Sequence, residues 1–462
     1  MKDIIQEVTE NISQKFEEEL KRLLSEKRDI SEFILAIKKT LDETGTKLVA
    51  EALETLDQAV KKAKDRKQNW IVKSKDDPKN LVTIFGEVSY KRTYYENKKT
   101  GEYCYLSDEM VGIEAHDRLD LSLKARLIEE AIDLSYKKSG EKVAQKTVLS
   151  SQTVMNTIRK LGCVDNNAVS PKQTKRKVKI LYIEADEDHV ALQEGGIIEP
   201  KLIYVHEGRK KVGKNRWQLI NPFYFSGIYA DSDELWLEVA DYIYKAYDQD
   251  AIEKIYLAGD GAKWIKNGLG WIKGSISVLD SYHLLKYVTT ATAHIKDLTP
   301  LMWKYINQGE KKKLKDLFSK IIIETETETK KKAVMEARKY ILNNWEGIKN
   351  QQQKDYFGCS VEGHISHILS SRLSSRPLGW SEKGVDQMAR LRAFRANGGI
   401  VYDLLLEKKQ KEQKEAKALK LDQEIREKKK ASGSNETIDN LTLINKGKKT
   451  TAFQFLRSIR GY

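Results

Sequence analysis

Three carboxylates in this chain, Asp186, Asp260 and Glu362, stand in settings suited to chemistry on a phosphodiester. Asp186 lies in KVKILYIEADEDHVALQ, a long β-type run. If even positions share a face, Val178, Ile180 and Tyr182 lead along it to Glu184, Asp186 and Asp188. A strand that starts apolar and ends in carboxylates carries charge to the edge of a buried sheet. Asp260 lies in KIYLAGDGAKWIK, where an apolar run stops between Gly259 and Gly261. Glu362 lies in CSVEGHISHILSSR, at the start of a predicted helix. Three acids from two strand ends and a helix could hold two divalent cations, Mg²⁺ or Mn²⁺. Such a pair clamps the attacking and leaving oxygens of an in-line phosphoryl displacement.

Each acid has a plainer reading as well. Asp between glycines is a common turn residue, and a first-turn Glu complements a helix dipole. Asp186 is preferred to Asp188 because it lies nearer the apolar part of the strand, but both share a face. Asp280 follows another apolar run, and His283 sits one helical turn after it. His283 could orient a ligand or contact a phosphate, or it could be a half-buried structural histidine. Cys359, His364 and His367 suggest zinc ligands, but no fourth ligand is visible in the sequence.

The elements that must position these residues follow from pattern. Residues 171–297 alternate strands and helices: three strands, then helix, strand, helix, strand and helix. This predicts an antiparallel meander with parallel additions, a mixed sheet in which the first and fourth strands can be neighbours. Residues 298–357 are helical and very polar, and read as an insertion that delays the third acid. Residues 358–400 return to the core, and 401–462 form a charged helix and tail.

Upstream, residues 1–78 read as helical, with Ile5, Val8, Ile12, Phe16, Leu20 and Leu23 on one stripe. Residues 79–112 read as a β-hairpin turning at ENKKTG, with basic and aromatic residues interleaved. Residues 113–170 read as a helix-turn-helix domain. Its first helix would end at Gly140, EKVAQKT would form the second, and Ser150 would cap the third. That third helix would present Gln152, Thr153, Asn156 and Lys160 to a DNA groove. The fold class expected is therefore multidomain α+β.

Composition agrees with a polyanionic partner. The 462 residues hold 82 Lys+Arg against 68 Asp+Glu, an excess of 14. Arg372, Arg376, Arg390, Arg392 and Arg395 crowd one span after Glu362 and read as a wall that grips DNA phosphates. Cys104, Cys163 and Cys359 form neither a disulfide framework nor a CxxC site. With no long apolar run and no signal-like N-terminus, a soluble cytoplasmic protein without membrane contact is expected.

LYIEADEDHVALQ, YLAGDGAKWI, LDSYHLLKYV and the block from CSVEGHISHILSSR to LGWS occur in an order that resembles bacterial insertion-sequence transposases of the ISLre group. These are distant relatives of Mutator-type transposases, and FGEVSYKRTYY also looks like that group's N-terminal region. The resemblance covers residues 80–400. It implies an RNase H-like core in which Asp186, Asp260 and Glu362 form a DDE set. Asp280 and His283 match the Mutator-type pattern of a Cys or Asp, two residues and a His. Glu187 stands where the first motif commonly has glycine, which leaves Asp188 open as the first acid. The resemblance implies a metal-dependent transposase, associated with the bacterial nucleoid, that cuts and joins double-stranded DNA at terminal inverted repeats. Bringing two ends together implies at least a dimer. A DNA-binding regulator and a nuclease that cuts without joining are the rival readings.

Overall fold

The computed structural model describes residues 2–25, 29–143, 147, 149–171, 174–214, 216–376 and 378–431. The N-terminal apolar stripe folds as α1 (Lys2–Ser25), which packs on α2 (Ile30–Lys62). Phe16 meets Phe33 edge-on at 5.9 Å between ring centroids. Asp29 caps α2 by accepting the Ser31 N–H.

A short α3 (Lys64–Asn69) leads into β1 (Trp70–Thr83), which pairs antiparallel with β2 (Gly86–Asn97). This corrects the expected boundary at residue 78 and the position of the hairpin turn. The turn falls at Ile84–Phe85, where Thr83 Oγ1 accepts the Phe85 N–H at 3.1 Å. ENKKTG instead joins β2 to the two-residue β3 (Tyr103–Cys104). Leu81, Val88 and Tyr90 pack on Val49, Ala50 and Leu53 of α2. Part of the basic-aromatic alternation faces inward. Tyr90 donates to Asp108 at 2.8 Å, and the Arg92 guanidinium lies 3.4 Å from the Tyr105 ring centroid. Asp108 belongs to α4 (Leu106–Val111).

Three helices follow: α5 (Leu121–Asp133), α6 (Tyr136–Val143) and α7 (Ser151–Leu161). Ser150 caps α7 by accepting the Thr153 N–H, and Val154, Ile158 and Leu161 are buried, as the spacing predicts. Gly140 lies inside α6 and does not end α5; the break comes at Leu134, which is extended. Ala144, Gln145 and Lys146 of the expected second helix lie outside the described residues.

The central sheet begins with β4 (Ile180–Glu187). A two-stranded piece, β5 (Val190–Ala191) with β6 (Ile197–Ile198), leads to β7 (Lys201–His206). Then come β8 (Arg209–Gly213), β9 (Arg216–Leu219) and β10 (Phe223–Gly227). After α8 (Ser232–Ala246) come β11 (Lys254–Gly259), α9 (Lys263–Trp271), β12 (Ser275–Leu279) and α10 (Ser281–Thr292). The five-stranded sheet has the order β10-β7-β4-β11-β12. Its first three strands in sequence are antiparallel, and β11 lies parallel to both β4 and β12. The expected neighbouring of the first and fourth strands is what the sheet contains.

Both faces of β4 are covered, which explains its nearly continuous apolar run. Leu181, Ile183 and Ala185 face a core with Trp236, Val239 and Ile243 of α8. Tyr182 faces the other way, toward Tyr256, Val278 and Phe357. The insertion forms its own core from α10, α11 (Thr299–Asn307), α12 (Lys311–Glu324), α13 (Glu328–Asn343) and α14 (Trp345–Asn350). The chain then enters α15 (Val361–Ile365), a π-helical turn at Ser366–Ser370, α16 (Ser371–Leu373) and α17 (Glu382–Ala396). The last described element is α18 (Val401–Ala431). The described residues divide into one compact unit ending at Val401 and a second beginning at Tyr402. The expected tail from Thr451 onward lies outside the described residues. No described helix is long and apolar enough to cross a membrane.

Candidate active site

Parallel pairing of β4 with β11 sets the site. Ala258 is registered with Glu184, an offset of 258 − 184 = 74. The same offset, 260 − 186 = 74, puts Asp260 beside Asp186 one step past the end of β11. The glycines around Asp260 have separate steric reasons. A Cβ on Gly259 would come within 2.7 Å of the Ala185 carbonyl oxygen. Gly261 has φ +83° and would meet the Asn344 side chain. Asp260 Oδ1 accepts the Ala262 N–H at 2.8 Å, and Tyr340 donates its hydroxyl to the Asp260 carbonyl.

The third strand end supplies Asp280. Its N–H donates to the Gly259 carbonyl at 2.7 Å, which ties β12 to β11 at this edge. Its side chain caps α10 by accepting the His283 N–H, and its Oδ2 lies 3.0 Å from His283 Nδ1. The same ring nitrogen lies 3.9 Å from Glu362 Oε1. Asp280, His283 and Glu362 bring ligand atoms within 4.8 Å of one another. The expected set was Asp186, Asp260 and Glu362; His283 and Asp280 stand closer to Glu362 than a simple three-acid picture implied.

The electrostatics join both sets. Burial pushes the Asp186 carboxyl up to about 7, and the negative charges of Asp260 and Glu362 push the same way. A hydrogen bond from the Glu187 N–H and the charge of His283 oppose that rise. The hydrogen bond to Asp280 raises His283 above its usual range; burial works against this, and Asp186, Asp280 and Asp260 add to it. Burial disfavours charge on Asp280, yet hydrogen bonds from His283 and Tyr282 hold its carboxyl below the usual range. These carboxylates, and the His283 ring in its neutral form, are donors that could hold a divalent ion. Asp188 points elsewhere: its Oδ1 accepts from Ser374 at 2.9 Å.

Sequence reasoning missed Glu184. It is 2% exposed and sits on the Asp186 face of β4. His206 Nε2 lies 3.0 Å from Oε1. Oε2 accepts the Ser360 N–H at 2.7 Å, the Cys359 thiol at 3.2 Å and the Tyr204 hydroxyl. Burial disfavours its charge, but these donors, His206 foremost, hold its pKa below the usual range. Glu184 thus fastens the segment just before Glu362 to the strand carrying Asp186. The signal in the sequence was a carboxylate inside an apolar strand, which needs buried donors to exist. Cys359 and His364 take part in this packing, His364 Nδ1 meeting the Tyr224 hydroxyl at 3.0 Å, and among the described residues they do not gather with His367 into a close ligand group. We expect Glu184→Ala to lose about 3–5 kcal/mol of folding stability, the range for breaking a buried pair. A denaturant melt checks this, and a wild-type midpoint would remove Glu184 from its positioning role.

The arginine wall needs correction. Arg372 is buried, donates to the Ala131 carbonyl at 3.0 Å and stacks 4.8 Å from the Trp380 ring centroid. Arg392 is buried too and bonds Asp133 at 3.0 Å and the His367 carbonyl at 2.6 Å. Arg395 makes a two-pronged pair with Asp133 at 2.6 and 2.7 Å. Arg390 pairs with Asp386 at 3.0 Å and lies over Tyr229. Together Arg372, Arg392 and Arg395 receive the C-terminal end of α5, where bare carbonyls and the helix dipole favour cations. They join the three-helix region to the core; Arg376 remains exposed. On α7, Gln152, Asn156 and Lys160 are exposed and Thr153 is partly so. Gln152 donates to Asn156 at 2.9 Å, and Lys160 pairs with Glu114.

Residues 6–410 match a family model described as Uncharacterised protein family (UPF0236). The chain belongs to the UPF0236 family. A UPF0236 protein of Caldanaerobacter subterraneus subsp. tengcongensis is 42% identical over 463 residues, covering 99% of this chain and 97% of its own. Another from that organism is 43% identical over 443 residues, covering 95% of this chain and 94% of its own. The UPF0236 protein in vanSb 3'region of Streptococcus gallolyticus is 28% identical over 396 residues, covering 82% and 86%. One UPF0236 relative in the Caldanaerobacter genome carries a name that joins 11 loci.

Proposed function

We propose that this UPF0236 chain is a DDE-type DNA transposase with an RNase H-like core, related to the ISLre group and more distantly to Mutator-type enzymes. The observation that carries the reading is the gathering of Asp186, Asp260, Asp280, His283 and Glu362 at one edge of a five-stranded mixed sheet. Repeated loci in one genome suit a mobile element.

Asp186, Asp260 and Glu362 would hold Mg²⁺ or Mn²⁺, with His283 beside Glu362. When bound, the ions supply Lewis-acid polarisation of a phosphate oxygen and of the attacking hydroxyl. The chain's own residues do the rest. Asp280 fixes the His283 ring through Nδ1, so that His283 can donate toward a phosphate oxygen or receive a proton there. Glu184 holds the Glu362 helix against β4. The exposed face of α7 reads the terminal repeats through Gln152, Thr153, Asn156 and Lys160, and two copies of the chain bring two ends together.

The deciding experiment uses duplex DNA carrying the inverted repeats that flank the gene. Cleavage at the repeat termini and joined product should form with Mg²⁺ or Mn²⁺ and stop on chelation. Binding without nicking would sink the enzyme reading in favour of a regulator. Cutting without joined product would leave a nuclease.

A further inference from the structure

A bare ribbon leaves the sheet at the end opposite the acids. β8 and β9 pair only with each other, with Arg209 opposite Leu219, Lys210 opposite Gln218 and Lys211 opposite Trp217. Residues 209–219, RKKVGKNRWQL, hold five cations and no carboxylate. Every residue of β8 is exposed, as are Lys214, Arg216 and Trp217, the last by 52%. Among the described residues, Arg209, Lys210, Lys211, Lys214 and Arg216 meet no carboxylate partner. Arg209 lies over the Trp217 ring at 4.7 Å and over Phe357 at 4.6 Å.

The base of the ribbon is fixed. Glu207 and Ile220 continue its ladder toward the sheet, with Glu207 N–H to the Ile220 carbonyl at 3.0 Å and Ile220 N–H to the Gly208 carbonyl at 2.9 Å. Its place relative to the site follows from the β4–β7 register. Leu202 is opposite Asp186 and His206 is opposite Tyr182. β7 therefore ends four strand residues, roughly 14 Å, from the Asp186 end, and the ribbon starts beyond it.

Five cations with no carboxylate beside them, one of them stacked on the half-exposed indole of Trp217, repel each other on this ribbon unless a polyanion covers them. Cations lie on both faces, since Lys210 and Lys211 are adjacent and point oppositely. A membrane surface or a flat anionic protein would engage one face. A nucleic-acid groove engages both, because phosphates line its two walls. The major groove of B-form DNA, about 12 Å wide, admits a two-stranded ribbon; the narrow, deep major groove of duplex RNA does not.

We propose that the ribbon from Arg209 to Leu219 is a sequence-independent contact that enters a groove of duplex DNA away from the carboxylate cluster. It rests on the reading of the chain as a DNA-binding protein, and it adds a second hold on DNA, separate from α7.

The test uses the full chain and a variant with Lys210→Gln, Lys211→Gln, Lys214→Gln and Arg216→Gln, all at exposed positions. Thermal unfolding of both establishes that the fold is unchanged. Binding of a labelled random-sequence DNA duplex is then measured by anisotropy across a salt series. The slope of log affinity against log salt should become shallower by roughly 3 to 4, with affinity at low salt falling at least about tenfold. Trp217→Ala should weaken binding without changing the slope. A variant with wild-type affinity and slope would overturn the ribbon proposal while leaving the DNA reading intact. Equal affinity of the wild-type chain for an RNA duplex, lost equally in the variant, would overturn the groove assignment. Failure of the wild-type chain to bind duplex DNA at all would overturn both readings.

Discussion

Asp260→Ala should abolish cleavage of DNA ends while duplex binding stays within several-fold of wild type. The backbone at this position does not depend on the side chain. Asp280 N–H holds the Gly259 carbonyl, and Tyr340 holds the Asp260 carbonyl. Removing the carboxylate deletes one hydrogen bond to the Ala262 N–H, a net loss of about 1 kcal/mol. The chemistry loses much more, because the carboxylate is central to the charge field around Asp186 and His283. Glu362→Ala should behave alike, since that side chain is 44% exposed and supports little packing. Thermal unfolding and single-turnover cleavage on one preparation check both variants. Wild-type cleavage per folded molecule by either would remove that residue from the proposed ligand set.

The residues explain why parts of this architecture were legible. Local rules worked where the deciding interaction is local. Ser150 read as a helix cap because a side chain need only reach an N–H two or three residues on. The apolar run of β4 and the Gly-Asp-Gly end of β11 read as strand and strand end, and their neighbouring followed from the alternation of elements. Distant partners were not legible. After Trp70, Ile71 and Val72 the segment as far as Asn80 is polar and carries Pro78, so little local marks it as a strand; pairing with β2 makes it one. The arginines after Glu362 read as a solvent-facing wall because their partners, the carbonyls and Asp133 at the end of α5, lie some 240 to 260 residues upstream. Glu184 looked like one more acid on a charged strand end. Only the arrival of His206, Tyr204 and Ser360 distinguishes a fastening group from a reactive one. The ribbon of β8 and β9 went unnoticed for the opposite reason, because its meaning lies in the absence of nearby acids once the sheet is built.

Asp186 is buried like Asp280 but lacks the hydrogen bonds from His283 that offset burial there, and this gives the last prediction its sign. Its carboxyl titrates near 7 in the folded chain against an ordinary value of 3.8. Between those values the folded chain binds the proton and the unfolded chain does not. The stability Asp186 contributes is therefore fully present below the ordinary value and is lost as pH rises through about 7. Above that, the fold carries a buried charge facing Asp260 and Glu362. Divalent cations compete with the proton, so Mn²⁺ should raise the melting temperature more at about pH 8 than at about pH 6. Asp186→Asn removes both the charge and the competition. It should melt at least roughly 2 °C above wild type in chelator at about pH 8. It should also lose most of the Mn²⁺-dependent shift and cut no DNA. Thermal melts of the two proteins at both pH values, with Mn²⁺ and with chelator, separate the possibilities. An Asn variant that melts below wild type at the higher pH, or keeps the full Mn²⁺ shift, would show that Asp186 is a structural acid. In that case the buried charge would already be compensated within the fold, and the first ligand would have to be sought at another carboxylate of the same edge.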